Sequence, residues 1–522
     1  MRTACEEFAV SRLSRASAQG GYAMNKAFVI AVDQSTQSTK AMLFDKDLNL
    51  VAREDIAHRQ IINEKGWVEH DPEAIAANAI SAIRRLIANS EIDPRAIASI
   101  GVANQRETVA MWNRATGKPV CNAIVWQCNR AAKICERLEE AGDAEYLRRT
   151  TGLRLSPFFS GPKLAWILEN IPGVRDMAQQ GEICCGTMDS WVIYNLTGRK
   201  AHKTDYSNAS RMLLLDLANL RWDAKACEMF GIPMSCLPEL CDSDALYGYT
   251  DLGGAVEDPI PVHAAIGDSH AALYAHGCYD KGSCMTGYGT GSCVMMNLGE
   301  TPALSSHGVL SSVAWKTGRG LRYAFDGVIN YSGAVVTWLC KDLGLAASPE
   351  ETETLAQQAN PADRAYLVPA FTGIGAPHWK SEAAAALINM TRTTGRAEIV
   401  RAGLESIAYQ VADVVQAMAA DSNTPVTAMS VAGAPTRNAY LMQFQSDILG
   451  CPVAIPENEE MTCLGVARIA GEAAGLYGRE SARASAVECR PARWTFSPRM
   501  PQDVRAGKIN GWKKALDRTL RD

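Results

Sequence analysis

Three stretches of the chain set polar, chemically capable groups directly after an apolar run. Asp268 follows Gly267 at the end of Val262–Ile266. Asp33 closes the run that starts at Phe28 and opens into Gln34-Ser35-Thr36-Gln37-Ser38-Thr39-Lys40. Asn104-Gln105-Arg106-Glu107 follows Ile97–Ala103. Such parts suit phosphoryl transfer to an alcohol, which rests on positioning and charge stabilisation, with one carboxylate taking the hydroxyl proton. Asp268 is the candidate proton acceptor. Arg106 and Glu107 offer donors and an acceptor to the adjacent hydroxyls of a polyol. Each group also has a plainer reading: Asp268 as a helix cap, Asp33 as a turn-stabilising residue, and Arg106–Glu107 as a surface ion pair.

The same reaction requires a hold on phosphates. No Gly-x-x-x-x-Gly-Lys-Ser/Thr loop occurs, which argues against a P-loop enzyme. Two turns offer another route, Ser35 to Thr39 and Gly287-Tyr288-Gly289-Thr290-Gly291-Ser292. Their backbone N–H groups and hydroxyls can converge on phosphate oxygens. Either one alone is equally readable as a simple hairpin turn, and it is the pairing of the two that favours a phosphate site. Asp33 can hold Mg2+ through water, because Mg2+ takes few carboxylates plus phosphate oxygens. Trp126 and Phe158 can form an apolar wall against a substrate's carbon face, or belong to the core.

These residues need strands to carry them. Phe28 to Asp33 and Ala41 to Phe44 read as two strands around a polar hairpin. Asp71-Pro72 supplies an N-cap and an N1 proline for a helix to about Asn89. Strands at Ile97–Ala103 and Val262–Ile266, the latter leading into a helix from Ser269 to Gly277, complete an α/β domain with function at the strand tips. The hairpin plan recurs from Ser283 to Met296, which predicts a remote internal duplication. A strand at Thr427–Val431 turns at Gly433 into a helix from Asn438 to Leu449, with Gly450 as its C-cap. The expected division is a tail over 1–25, disordered or mis-started ahead of Met24, then domains over 26–275 and 276–522. Beyond about residue 490 the chain is expected to form a Pro/Arg-rich surface wrap.

Composition bounds the function classes. The 522 residues are 47% apolar and 21% charged, with a net charge of -5, the balance of a globular protein with more than one core. Mixed charge signs point away from nucleic-acid and membrane-surface partners. No apolar run approaches the roughly 18 residues that a bilayer crossing needs. The sixteen cysteines include no Cys-x-x-Cys pair. Cys184, Cys185, Cys284 and Cys293 read as small buried hydrophobes. Many free thiols without a signal peptide fit a cytoplasmic location.

Several longer runs carry a resemblance. They are Gly66-Trp67-Val68-Glu69-His70-Asp71-Pro72, Asn104-Gln105-Arg106-Glu107-Thr108, Asn122-Ala123-Ile124-Val125-Trp126-Gln127, Phe159-Ser160-Gly161-Pro162-Lys163 and Leu441 through Gly450. With them the chain, from about 27 to 515, resembles the FGGY family of carbohydrate kinases, and within it the glycerol kinases. The resemblance implies two actin-like, ribonuclease-H-like domains hinged around ATP and a polyol, in a cytoplasmic homo-oligomer (dimer or tetramer). It implies a glycerol pocket at Arg106, Glu107, Trp126 and Asp268, with Asp268 as general base. It places Thr36, Gln37, Ser38, Thr290 and Gly333 along the nucleotide phosphates, and Ala434 and Asn438 beside adenosine.

The chain also departs from the family pattern. Lys40 stands where the family has arginine, and Ala432-Gly433-Ala434 replaces Asp-Gly-Gly. Phe158 replaces a glycerol-contacting tyrosine, and Ser269 replaces the glutamine after the general base. Three functions follow as expectations: a glycerol kinase, a sister kinase for a larger polyol or keto-sugar, or an ATP-driven clamp without a small substrate. The last would not need Arg106, Glu107, Trp126 and Asp268 together.

Overall fold

The computed structural model describes residues 26–478 and 492–521; the expected tail over 1–25 lies outside them. Strands β1 (Phe28–Gln34), β2 (Ser38–Asp45) and β3 (Leu50–Ala57) form an antiparallel meander. Helix α1 (Pro72–Ser90) follows, opened by Asp71, whose side chain accepts from the N–H groups of Glu73 and Ala74. Strands β4 (Ile97–Asn104) and β5 (Ile260–Gly267) then run parallel to β1, giving the order β5-β4-β1-β2-β3 with Gly248–Thr250 on the outer edge of β5. β1 and β4 are apolar almost throughout and, apart from the half-buried Phe28, buried, as central strands covered on both faces must be. Beside it the first half carries a smaller five-stranded sheet, with Ile61–Ile62 and Val68–His70 from ahead of α1 and three strands, Val109–Asn113, Ala123–Ile124 and Ile183–Thr187, from between β4 and β5.

Helix α2 (Asp268–Ala275) leads into the second half. There β6 (Cys284–Tyr288), β7 (Ser292–Gly299), β8 (Leu310–Thr317) and β9 (Gly320–Ile329) are followed by the long helix α3 (Arg396–Ser422), β10 (Met429–Ala432), α4 (Ala439–Leu449) and β11 (Val453–Pro456). The order β9-β7-β6-β10-β11 repeats β3-β2-β1-β4-β5, with the same antiparallel and parallel pairings. The duplication expected from the hairpins is therefore one of topology.

Helix α5 (Met461–Ala473) returns to the first half and packs on α2 and on β1, β4 and β5. Gly465 makes that approach possible, since a Cβ there would meet the Ala271 carbonyl oxygen at 1.9 Å. The resulting core mixes Val29, Ala103 and Ile266 with Met295, Ala314 and Ala324 of the second sheet.

The C-terminal segment corrects the expectation of a surface wrap. β12 (Ala492–Phe496) adds an antiparallel edge strand to β11, and α6 (Gln502–Leu520) buries Trp512, Ala515 and Leu516. Trp512 stacks on Tyr409 with ring centroids 5.1 Å apart. Its apolar stripe is narrow, and lysines and arginines cover the other faces. The composition therefore resembles a surface segment although one face is core.

Candidate functional site

Three neighbouring parallel strands end at one place. In register, Asp33 of β1 lies opposite Ala103 of β4, and Gly267 of β5 opposite Asn104. Asp33, Arg106–Glu107 and Asp268 are thus brought to the carboxyl edge of one sheet, where α/β sheets hold ligands.

Asp268 is the first residue of α2, with Gly267 in the N-cap position. Its Oδ1 accepts from Ser269 N at 2.6 Å and Ser269 Oγ at 3.2 Å, and lies 3.1 Å from Arg106 Nε. The side chain is 34% exposed, so this carboxylate meets solvent while its guanidinium partner is buried. Arg106 and Glu107 are not paired with each other. Arg106 Nη1 donates to Asp326 Oδ2 at 2.6 Å, and Glu107 Oε1 accepts from Arg211 Nε at 2.5 Å. Glu107 sits at φ +63°, a left-handed conformation costly for a residue with a Cβ, held here by a buried ion pair. Trp126 and Phe158 are half-buried and meet edge to face, 5.7 Å between centroids.

Around Asp33 the hairpin is tight: Ser35 N donates to Ser38 O at 2.9 Å and Ser35 Oγ to the same oxygen at 2.8 Å. Gln37 is exposed at its tip. Lys40 Nζ lies 3.1 Å from Glu460 Oε2 and 3.8 Å from Asp33 Oδ2, so its charge is shared between two carboxylates. Burial pushes the Asp33 carboxyl up to about 7; Lys40 opposes this and the Asp268 charge adds to it. Asp33 Oδ1 is buried without a hydrogen-bond partner. An orphaned carboxylate oxygen is a place for a cation-bound water, so the residue fits the Mg2+ role expected of it. Lys163, also buried, donates to the carbonyl oxygens of Phe158 and Phe159; burial pushes it down to about 7 against the pull of Glu107.

The second half contributes a cavity of about 970 Å³ lined by Thr290, Gly333, Ala434 and Asn438 together with Trp338 and Phe371. Gly433, at φ +109°, allows β10 to pass under the β6 turn; a Cβ there would meet the Tyr288 carbonyl oxygen at 1.9 Å. Ser332 N and Ala334 N both donate to Thr290 O, at 2.9 and 3.0 Å. Asn438 lines the cavity, yet its polar atoms serve the fold. Its Oδ1 caps α4 by accepting from Leu441 N at 2.9 Å, and its Nδ2 donates to Thr352 Oγ1 at 3.1 Å.

Comparison with known proteins identifies the frame. Residues 28–275 match the N-terminal domain of the FGGY family of carbohydrate kinases, and residues 284–474 match its C-terminal domain. The chain belongs to this family. Glycerol kinase 1 of Thermotoga maritima is 42% identical over 493 residues, covering 94% of this chain and 99% of the relative. A glycerol kinase of Alkaliphilus oremlandii is 43% identical over 503 residues, covering 95% and 98%. Among solved structures, Plasmodium falciparum glycerol kinase with ADP superposes with a TM-score of 0.88 at 32% identity, covering 94% of this chain and 98% of that one. Gluconate kinase of Lactobacillus acidophilus, at 20% identity and TM-score 0.82 over 94% of this chain and 96% of its own, shares the fold.

In this FGGY kinase two side chains escaped the sequence reading. Asp326 is 0% exposed on β9 and faces Arg106 and Arg211. A carboxylate inside Tyr323-Ala324-Phe325-Asp326-Gly327-Val328-Ile329 was the available signal, since a charge in an apolar strand must be paired. Arg211, likewise buried, ends a run of small polar residues with no such contrast. Cys293 departs from its expectation as a buried hydrophobe. It is partly exposed and its thiol donates to Asp326 Oδ1 at 3.2 Å.

Proposed function

We propose that this FGGY kinase transfers the γ-phosphoryl group of ATP to a hydroxyl of glycerol, forming glycerol 3-phosphate, with Asp268 as proton acceptor. One observation carries the reading. Asp268 is the partly exposed carboxylate beside Arg106, next to the strand end that supplies Glu107. Relatives named glycerol kinases, at 42–43% identity over nearly the whole chain, support the choice of polyol.

In this reading Arg106 and Glu107 bind adjacent hydroxyls, one donating and the other accepting. Trp126 and Phe158 cover the carbon chain, with Ser269 beside the reacting hydroxyl. As the hydroxyl oxygen bonds to the γ-phosphorus, its proton passes to Asp268. The bond from that phosphorus to the bridging oxygen breaks, and ADP leaves. Thr36, Gln37 and Ser38 face the phosphates from the first half and Thr290 and Gly333 from the second, while Ala434 and Asn438 border adenosine in the cavity. Asp33, with Lys40 at its side, would hold Mg2+ through water, an ion that neutralises phosphate charge when bound. The described cysteines are all free thiols, which supports the cytoplasm as the setting, and the resemblance to glycerol kinases supports a homo-oligomer.

The test is ADP release across a panel of polyols and keto-sugars, with a substrate-free control. Glycerol-dependent turnover is expected. ATP hydrolysis independent of any polyol would favour a clamp without a small substrate. A second reading, a kinase for a larger polyol or keto-sugar, is favoured by the bare ring of Phe158 and the short side chain of Ser269.

A further inference from the structure

Five charged side chains form an unbroken alternating line through the junction of the two halves. Asp268 Oδ1 lies 3.1 Å from Arg106 Nε, and Arg106 Nη1 2.6 Å from Asp326 Oδ2. The same Oδ2 lies 3.1 Å from Arg211 Nη1, and Arg211 Nε 2.5 Å from Glu107 Oε1. Four of the five come from the first half. The middle one, Asp326, comes from β9 of the second sheet and is 0% exposed, so it cannot itself reach a ligand in the cleft.

We propose that Asp326 is a positioning residue that fixes the guanidinium of Arg106 for the polyol, so that polyol affinity depends on how the second half sits on the first. The inference rests on reading Arg106 and Asp268 as the polyol site. A guanidinium is a planar fork whose five donors are used well only when its plane is fixed. Here that plane is pinned on three sides: by Asp268 at Nε, by Asp326 at Nη1 and by Cys293 Sγ, 3.7 Å from Nη2. The remaining N–H groups are left in a set direction. Without the Asp326 charge, the strongest partner left to Arg106 is Asp268. The arginine would then turn onto the carboxylate that must stay open to substrate. Burial alone would raise the Asp326 carboxyl, but Arg106 and Arg211 overcome it and hold the group well below the ordinary range. Asp326 therefore keeps its charge at working pH.

A merely structural ion pair would lower stability without favouring one substrate, and the kinetic split separates the two roles. Steady-state ADP release is measured for the full chain, wild type, Asp326→Asn and Asp326→Glu, varying polyol at saturating ATP and then the reverse. Asp326→Asn is expected to raise the polyol KM by at least ~10-fold, with the ATP KM held within about twofold, the loss typical of one charge-assisted contact. Asp326→Glu keeps the charge and is expected to recover part of that loss. If the asparagine variant yields no folded protein, the glutamate variant decides. A polyol KM raised several-fold at unchanged ATP KM supports the assignment, and wild-type values for both overturn it. An unchanged polyol KM in Asp326→Asn, or equal rises for both substrates, also overturns it. Wild type turning over none of the polyols sinks the underlying reading and this assignment together, whereas wild-type turnover with unaffected variants sinks this assignment alone.

Discussion

Trp126 donates its indole N–H to Thr36 Oγ1 at 3.1 Å, tying the aromatic wall beside Phe158 to the hairpin that follows Asp33. The contact makes the proposed polyol and phosphate sites share one strut. Trp126→Phe keeps a ring but removes the donor, at a cost of about 0.5–1.5 kcal/mol. Both KM values are expected to rise several-fold. Thr36→Val should do the same, and the double variant should be no worse than either single one. Fully additive losses would mean that the bond does not link the two sites.

Asp268→Asn retains the shape of the side chain and its place at the start of α2 while removing the proposed proton acceptor. Turnover should fall by at least roughly 10²-fold. Glycerol and ATP binding, followed by calorimetry, should persist because Arg106 stays anchored by Asp326. Near-normal turnover would remove Asp268 from its assigned role.

Asp33 predicts a pH dependence of stability. Its carboxyl is pushed from an ordinary value near 4 up to about 7, so between those values the folded chain binds more protons than the unfolded one. Stability contributed by this group is present below about pH 4 and is lost as pH rises to about 7, by an amount of order 4 kcal/mol. Asp33→Asn removes the ionisation. The variant should melt higher than wild type at pH 8, and the difference should shrink toward pH 5, while kinase activity falls in the variant. An equal melting difference at both pH values would count against the shifted carboxyl.

Gly433→Ala would drive a methyl group into the Tyr288 carbonyl, 1.9 Å from the added carbon, at a backbone φ of +109°. Relief requires moving the Gly289–Thr290 turn on the cavity wall. The expected cost is about 1–3 kcal/mol in stability together with weaker ATP binding. Glycerol binding should not change. A variant that binds ATP normally would show that the turn does not shape the nucleotide site.

The parts of this molecule legible in the sequence are those where local chemistry and fold agree. Asp71-Pro72 capped a helix, apolar runs became β1, β4 and β5, and Gly450 ended α4 in a left-handed conformation. The residues singled out at the strand tips are gathered because parallel neighbours end at the same edge. Asp326 and Arg211 stayed hidden because their partners lie far along the chain, where pairing is a property of the assembled halves. α6 was misread for another reason: its buried face is narrow, and only the packing of Trp512 on Tyr409 reveals it.

Two of the chain's departures bear on specificity. Phe158 presents a bare ring beside Trp126, and Ser269 is short enough to turn its hydroxyl back onto Asp268. Replacing a tyrosine hydroxyl by hydrogen removes one bond to substrate, worth roughly 0.5–1.5 kcal/mol net, so glycerol affinity should be only modestly reduced. Space freed beside Asp268 should admit a four-carbon polyol or a ketose. Phe158→Tyr with Ser269→Gln supplies both a partner and bulk. The double variant is expected to lower the glycerol KM and to exclude the larger compounds, measured as the ratio of kcat/KM values across the panel. A wild type already as selective for glycerol as the double variant would refute the widened pocket. No glycerol turnover in either protein would favour the larger-polyol reading, since Arg106, Glu107 and Asp268 would then be serving a different substrate.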